Sequence, residues 1–439
     1  MQLRQPADLL IEARWVLPIA PRNIALAEHA VAIAAGRILA LGPAAELRER
    51  FEAREHVVRE GHALLPGLVN AHTHAAGVLL RSAPAAAPSD RIADAARELR
   101  TEPPDADLVR EGSRIAIAQM LRAGITCIAS TGPHPEETAR VAAAARMHAA
   151  VGLPVTDRPQ PGGEGAGSQL ARAESLWDEY RSSPWVSLYF SPAAGDAMSD
   201  ATLTRLRTVA DELDARIAMA LAGAGDGAAT RALRRAHALG LLRPGFAALG
   251  LRAEAEDLEL AARTGIAAIA CPQAELRAGR GAAQVRELRA RGVPVGLGTG
   301  DPSAGALDLL AEARTTALLG PLGAPAALEL ATLGGASVLG LAGLIGSIEP
   351  GKAADLIAVD LAALSCQSSG EPAESLVFSA TREHVSDVWL SGSAAVTQGR
   401  LLAFDAEELQ GLRERWHERL RQPWSGLPSR AQARPETRP

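Results

Sequence analysis

The sequence predicts an α/β fold, a (β/α)8 barrel of the TIM-barrel type joined to a small composite β-sandwich domain from both chain ends. Three observations predict it. Eight short apolar runs recur between residues 68 and 299, and stretches with helical spacing separate them. Runs typical of strands, broken by Gly or Pro, stand before and after this region. A chain of 439 residues is also long enough for a large barrel plus an accessory domain.

The first 65 residues are predicted to form strands and turns. Three segments carry β-type apolar runs interrupted by turn residues: ADLLIEARWVLPI, HAVAIAAGRILALG and HVVREGHALLPG. Similar material returns at residues 342–404, in GSIEPGKAADLIAVDL and HVSDVWLSGSAAVTQGRLLA. The simplest assembly pairs the two regions in one β-sandwich domain.

Residues 66–341 carry the barrel rhythm. The intervening helical stretches have apolar spacings of three and four, as in DLVREGSRIAIAQMLRAG, and Ser199 is a good N-cap for the stretch that follows it. His148 is placed in a helical stretch. In such barrels the chemistry lies at the C-terminal ends of the strands. The eight predicted strands are LVNAHT (68–73), ITCIAS (125–130), VGLPVTD (151–157), WVSLYFS (185–191), ARIAMAL (215–221), FAALGL (246–251), IAAIAC (266–271) and VPVGLGT (293–299).

The C-terminal segment, residues 405–439, is predicted to be an amphipathic helix followed by a mobile tail. The helical part is DAEELQGLRERWHERLRQ, and the Pro-rich, charged remainder PWSGLPSRAQARPETRP lacks apolar periodicity.

Composition excludes several classes of protein. A net charge of -6 gives no basic surface for nucleic acid. No stretch approaches the roughly 20 apolar residues of a membrane span, and the N-terminal segment does not resemble a signal peptide. Cys127, Cys271 and Cys366 are too widely spaced for a disulfide framework or a cysteine-based zinc site. We expect a cytoplasmic protein that binds neither nucleic acid nor membranes.

The first predicted barrel strand ends in two histidines with one residue between them. Residues two apart on a strand point to the same face, so His72 and His74 aim their imidazoles at one spot. Such a pair is typical of half a metal site, and the remaining ligands must come from other strand ends.

The residues as a set resemble the amidohydrolase superfamily. The similarity rests on PGLVNAHTH (66–74), on GSIEPGKAADLIAVD (346–360) and on the β-domain flanking a barrel. The segments IAQMLRAGITC, LELAARTGIAAIACP and LDLLAEARTTALLG are similar to one branch, the 5-methylthioadenosine/S-adenosylhomocysteine deaminases and triazine-type chlorohydrolases. The resemblance implies the barrel fold, hydrolysis of carbon–nitrogen bonds with one divalent metal, usually zinc, and a homodimer.

The same resemblance implies further ligands and proton-transfer groups that this chain does not carry. The family places a metal-binding His at the end of the fifth strand and an Asp at the end of the eighth. A Glu near the fifth strand and a His on the sixth handle protons. Here the corresponding positions hold Ala220 for the fifth-strand His, Gly223 for the Glu, Gly250 for the sixth-strand His and Gly300 for the Asp, while Ala193 and Ala270 replace two more histidines.

Three other residues are candidates for the site. Asp301 is displaced by one residue from the family's Asp position, which turns a strand side chain to the other face unless the loop shifts register. His134, after the second strand, is either a replacement ligand or an ordinary residue at the start of the next helix. Asp157, at the end of the third strand, either binds a ligand or fixes its loop. Cys271 is assigned to packing.

We therefore predict a protein with no cofactor, or with a divalent metal such as zinc weakly bound at His72 and His74. Catalytic zinc sites take about three protein ligands and leave one position open, so the sequence favours a catalytically inactive or severely impaired deaminase relative. It would bind a small molecule in the barrel mouth or associate with an active relative. The alternative is an active metal-dependent hydrolase of carbon–nitrogen bonds with a site rebuilt from His72, His74, Asp301 and His134. A purely structural or interaction role is the third hypothesis.

Overall fold

The computed structural model describes residues 4–81, 106–157, 165–194, 198–221, 227–279, 281–302, 305–366 and 370–421. The predicted mobile tail, residues 422–439, lies outside the described residues. The strands are Gln5–Val16, Leu26–Ala34, Arg37–Pro43, Phe51–Pro66, Leu68–Thr73, Ile125–Thr131, His148–Val155, Val186–Pro192, Arg216–Ala220, Phe246–Leu249, Ala267–Ala270, Val295–Leu297, Leu356–Asp360, Val385–Leu390, Ser393–Thr397 and Arg400–Leu401.

The helices connect these strands and cover the barrel. The α-helices are Ala44–Arg50, Ala106–Arg122, Pro135–Ala144, Ala166–Tyr180, Asp200–Glu212, Ala228–Ala238, Ala255–Thr264, Pro272–Arg277, Val285–Ala290, Leu309–Leu319, Ala324–Glu329, Gly335–Leu339, Pro372–Glu374 and Ala406–Arg421. Short 3₁₀ helices span Ala75–Leu80 and Arg382–His384, and π-helical turns span Leu330–Gly334 and Ser375–Ser379. Among the described residues, every helix is too short or too polar to cross a bilayer.

The strands from Leu68–Thr73 to Val295–Leu297 form a parallel barrel sheet in sequence order. Within the described residues this sheet has eight strands, and each overlaps one of the eight predicted apolar runs, so the predicted barrel is confirmed. The strand His148–Val155 corrects one expectation. His148 begins a strand instead of lying in a helix.

The seam between the first and eighth barrel strands is closed by a few hydrogen bonds. The Gly300 amide donates to the carbonyl oxygen of His72 over 3.0 Å, and Gly300 also forms an isolated bridge with Thr73. Buried Asn70 accepts a hydrogen bond from the Thr299 amide over 3.0 Å and donates one to the Thr299 hydroxyl over 2.8 Å. The ends of these two strands are thereby fixed against each other at the mouth of the barrel.

The second sheet is built from both ends of the chain. Its order places Leu356–Asp360 beside Phe51–Pro66, and that strand beside Gln5–Val16. The first of these pairings is antiparallel and the second is parallel. The described strands of this sheet all come from residues 5–66 and 356–401, as expected for a composite domain.

A buried pair of side chains joins the two sheets. The Nδ1 atom of His148, on the third barrel strand, lies 2.8 Å from Oδ2 of Asp355, just before the strand Leu356–Asp360. The other carboxylate oxygen of Asp355 accepts a hydrogen bond from the Ser391 amide over 2.8 Å. The His148 ring also contacts Trp185, with ring centroids 5.2 Å apart. The barrel and the composite domain are therefore linked by a polar contact that water barely reaches.

The C-terminal helix Ala406–Arg421 packs on the barrel near its first strand. Buried Trp416 forms an apolar cluster with Leu80 and Leu108, and its indole Nε1–H donates to the carboxylate of Glu111. Since Leu80 ends the 3₁₀ helix that follows His74 directly, this cluster supports the segment that leads away from the candidate site.

Candidate functional site

His72 and His74 lie at the C-terminal end of the first barrel strand, as predicted. Their ring centroids are 5.0 Å apart and the ring planes are nearly perpendicular, at 83°. Both side chains are partly buried. The two imidazoles therefore share one location at the barrel mouth, which is what the HxH spacing predicts.

The hydrogen bond of His74 sets its tautomer. Its Nδ1 atom lies 3.0 Å from the carbonyl oxygen of Thr131, which can only accept. Nδ1 must therefore carry the proton, and the lone pair of the neutral ring is on Nε2. Histidines that ligate metals are commonly oriented by this kind of contact from the other ring nitrogen.

His72 is kept neutral by its surroundings. Burial lowers the pKa of His72 well below its ordinary value because the imidazolium would lose its hydration, and the nearby His74 lowers it further. A neutral imidazole is the form that can donate a lone pair. This chemistry suits a metal ligand or a hydrogen-bond partner of a neutral ligand.

The family's remaining histidine positions are filled by small apolar residues. Ala220 ends the fifth strand, Ala193 follows the fourth, and Ala270 ends the seventh and is buried. None of these side chains can coordinate a metal. Gly223, the counterpart of the family's Glu, lies outside the described residues.

Gly300 stands at the family's Asp position and has a backbone that favours glycine. Its φ is 62°, in the left-handed region that residues other than glycine rarely adopt. A Cβ atom added there would lie 3.0 Å from the Cβ of Ala274 and 3.4 Å from the Cβ of Cys271. In this conformation a side chain at Gly300 would be strained and would crowd Ala274.

Asp301 follows directly and is partly buried. Across the described residues, no group of three or more His, Cys, Asp or Glu side chains is arranged to hold a metal ion. That Asp301 completes a site with His72 and His74 stays a prediction.

The sixth-strand position lies beside a buried carboxylate that the sequence did not reveal. Gly250 has a φ of 65°, and a Cβ added to it would lie 3.5 Å from the Oε1 atom of Glu275. Glu275 is buried, and its two carboxylate oxygens accept hydrogen bonds from the amides of Cys271 and Ala283. A carboxylate from the neighbouring helix thus borders the space in which the family has a His.

His134 lies after the second strand and begins the helix Pro135–Ala144. Its φ of 47° is unusual for a residue other than glycine. Its Nδ1 atom is 3.3 Å from the carboxylate of Glu136, which in turn pairs with Arg172. The structure accounts for His134 as part of this surface link, and its role as a metal ligand stays a prediction.

Asp157 lies after the third strand and contacts the next helix but one. One of its carboxylate oxygens accepts from the Ser199 amide and the other from the Thr202 hydroxyl, both over 2.6 Å. These hydrogen bonds, with that of the Ser199 amide largest, lower the pKa of Asp157. Ser199 caps the helix Asp200–Glu212 as predicted, because its side chain accepts from the Thr202 amide. Ligand binding by Asp157 stays a prediction.

Replacing Ser199 by alanine should reduce the free energy of unfolding by about 1 kcal/mol, since the amide of Thr202 loses its cap. An Asp157→Ala variant should show a loss of similar size if the acid serves the helix terminus. Urea unfolding followed by circular dichroism measures both. If Asp157→Ala has full stability, the carboxylate is not needed for the helix terminus, and ligand binding becomes the better explanation for it.

The chain is similar to known proteins over almost its whole length. Residues 63–395 match the amidohydrolase family, and residues 30–51 match an imidazolonepropionase-like composite domain of bacteria. A 5-methylthioadenosine/S-adenosylhomocysteine deaminase of Teredinibacter turnerae is 31% identical over 431 residues, which cover 94% of this chain and 98% of that protein.

The chain is also similar to solved structures of zinc-containing enzymes. An adenosine deaminase of Xanthomonas campestris with bound zinc is 34% identical, with a TM-score of 0.91 over 96% of this chain and 100% of the other. The atrazine chlorohydrolase TrzN of Arthrobacter aurescens, complexed with zinc, has a TM-score of 0.83 over 93% of this chain and 99% of its own at 21% identity, which supports the fold alone.

Proposed function

Because this chain belongs to the amidohydrolase family, we propose that it is a relative of the 5-methylthioadenosine/S-adenosylhomocysteine deaminases that has lost metal-dependent deamination. The scaffold and the first two histidines are kept. The residues that would complete the metal site and move protons are absent from the described strand ends.

One observation carries this proposal, and it is the conformation of Gly300. A missing ligand side chain could be replaced from a neighbouring position if the space for it remained. Here the left-handed backbone would strain any side chain at Gly300, Ala274 crowds the position of its Cβ atom, and the Gly300 amide donates a hydrogen bond to the carbonyl oxygen of His72. The end of the eighth strand therefore forms a hydrogen bond that closes the barrel against the first strand.

Zinc does not fit the residues that are present. A catalytic zinc site takes about three protein ligands and keeps one open position. His72 and His74 supply two imidazoles, and Ala220 and Gly300 supply no donor side chain. Two neutral ligands on a partly exposed strand end would hold the ion weakly, so we derive no catalytic step that depends on a metal.

The barrel mouth keeps the neutral imidazole of His72 beside the ring of His74, which can hydrogen-bond a small molecule, and we propose that such a ligand binds there. A homodimer and a cytoplasmic location complete the proposal and rest on the character of the family.

A second candidate is an active metal-dependent hydrolase of carbon–nitrogen bonds with a rebuilt site. The tautomer of His74 favours it, since Nε2 carries the lone pair that a metal would need. Asp301 and His134 would be the added ligands.

Metal content and ammonia release separate the two candidates. We expect protein purified without chelator and equilibrated with zinc to retain well below about one equivalent after desalting. Ammonia release from 5-methylthioadenosine and S-adenosylhomocysteine should be at least about 10⁴-fold slower than for the Teredinibacter turnerae deaminase assayed alongside.

His72→Ala is the matched control, because it removes one of the two remaining imidazoles without touching the seam hydrogen bond of the His72 carbonyl. If the wild type holds about one equivalent of zinc and releases ammonia, and His72→Ala loses the zinc, the second candidate is established and the first is overturned.

A further inference from the structure

Two buried carboxyl groups meet at the short helix Pro272–Arg277, which follows the seventh barrel strand. Glu275 belongs to this helix, and Glu312 lies on the helix Leu309–Leu319 that packs against it. We propose that Glu275 and Glu312 form a proton-controlled latch that holds this helix against the barrel mouth when Glu312 is protonated and releases it when both groups are charged. This proposal does not depend on whether the protein hydrolyses anything.

Glu275 connects the start of this helix, at Cys271, to the segment that follows the helix, at Ala283. Its Oε1 atom accepts a hydrogen bond from the Cys271 amide over 2.9 Å, and its Oε2 atom accepts one from the Ala283 amide over 2.7 Å. The residue is only 6% exposed. A carboxylate in this position accepts from amides on both sides of the helix, so it is favoured as the charged partner of the pair.

Glu312 approaches the same helix from the helix Leu309–Leu319. Its Oε2 atom accepts a hydrogen bond from the Gln273 amide over 3.1 Å, and the residue is 1% exposed. The Gln273 side chain adds a hydrogen bond of 3.2 Å to the Thr315 hydroxyl. The start of the helix Pro272–Arg277 is therefore held by two different carboxyl groups, one at the amide of Cys271 and one at the amide of Gln273.

The helix touches the candidate site. A Cβ atom placed on Gly300 would lie 3.0 Å from Ala274, and one placed on Gly298 would lie 3.0 Å from the sulfur of Cys271 and 2.8 Å from the amide nitrogen of His72. A shift of the helix therefore changes the packing beside the first and eighth strand ends. Protonation of Glu312 therefore affects the packing of the barrel mouth through this helix.

The charges around Glu312 disfavour its ionisation. Burial raises the pKa of Glu312 to about 8, with the charges of Glu275 and Asp308 acting in the same direction and the Gln273 amide opposing them. Other charged or titratable groups lie on the elements packed against the helix Leu309–Leu319: exposed Arg277 on the helix Pro272–Arg277, His72 on the first strand, and Glu329, which pairs with Arg22 and Arg289. On the helix itself, Arg314 donates to the carbonyl groups of Val377 and Ala380.

The direction of the pH effect follows from these contacts. In the closed form Glu312 keeps its proton up to about pH 8, whereas in an opened form the carboxyl regains water and an ordinary acidic pKa. Opening therefore releases a proton at neutral pH, and it becomes easier as the pH rises. Between pH 6.5 and pH 8 the opened population should increase on the order of tenfold.

The buried thiol of Cys271 reports opening, because it lies at the first residue of the latched segment. The full chain is labelled with a thiol reagent at pH 6.5, 7, 7.5 and 8, and mass spectrometry quantifies the modified peptides. Cys127, on the second barrel strand and fully buried, reports global unfolding in the same sample. The Glu312→Gln variant is the matched control, since a glutamine mimics the protonated acid and cannot ionise.

We expect Cys271 labelling to rise on the order of tenfold more in the wild type than in Glu312→Gln between pH 6.5 and 8, with Cys127 unchanged. Comparing the same thiol in two variants removes the effect of thiolate formation. Equal pH dependence in both variants would overturn the proposal. Hydrogen exchange of peptides covering Pro272–Arg277, corrected for the intrinsic pH effect, gives a second measurement, and protection that does not fall with pH in the wild type would also overturn it.

Discussion

Replacing His148 by alanine should lower the free energy of unfolding by about 3–5 kcal/mol. The side chains of His148 and Asp355 are 5% and 2% exposed, and the contact between them joins the barrel to the composite domain. Removing the imidazole leaves one carboxylate oxygen of Asp355 buried without its partner. The hydrogen bond from the Ser391 amide remains, so the lower end of this range is the more realistic value.

Denaturant unfolding of the variant measures this loss. His417→Ala is the control, because His417 is an exposed histidine on the C-terminal helix and its removal should change little. A double variant with Asp355→Ala should lose less than the sum of the two single losses, since the second substitution removes the stranded carboxylate. Additive losses would mean that the two side chains do not interact as the geometry indicates.

Restoring the family's acid by Gly300→Asp should also be costly, with a loss of about 2–5 kcal/mol in the free energy of unfolding and no gain of zinc. The left-handed backbone costs about 1–2 kcal/mol for a residue with a Cβ, and overpacking against Ala274 and Cys271 adds about 1–3 kcal/mol. Zinc binding should stay absent because Ala220 still lacks a donor.

Gly292→Asp separates the two costs. Gly292 has a φ of 75° and nothing within 4 Å of an added Cβ atom, so its substitution should show the backbone cost alone. Calorimetry and metal analysis of both variants measure the difference. A Gly300→Asp variant with unchanged stability and tightly bound zinc would show that the site needs only one side chain to recover, contrary to our account.

The barrel could be predicted from the sequence because each strand is a separate apolar run with a helical stretch after it. The strands Leu68–Thr73 and Ile125–Thr131 agree with the predicted runs to within one residue. The start of the strand at His148 could not be predicted from the local sequence, because it follows RVAAAARM, whose alanines favour a helix. Pairing with the neighbouring strands overrides that preference, and no local pattern reports it.

The two histidines of the site could be predicted because their spacing alone fixes their geometry. The position of Glu275 could not, because CPQAELR looks like the start of an ordinary surface helix, whereas its acid is buried and accepts hydrogen bonds from the amides of Cys271 and Ala283. Glu312 gave a faint signal, since it stands among apolar residues in LDLLAEARTTALLG. Which carboxyl groups meet is decided by helix packing, and a single sequence does not report that.

The pairing of Leu356–Asp360 with Phe51–Pro66 has a consequence for biosynthesis. About 290 residues separate Pro66 from Leu356, so at ribosomal speeds the partner strand emerges on the order of 15–60 seconds later. Until then the nascent chain presents an open, apolar strand edge, a surface on which unrelated chains can assemble. Chaperone dependence and sensitivity to translation rate should therefore exceed those of a barrel whose sheets close in order of synthesis.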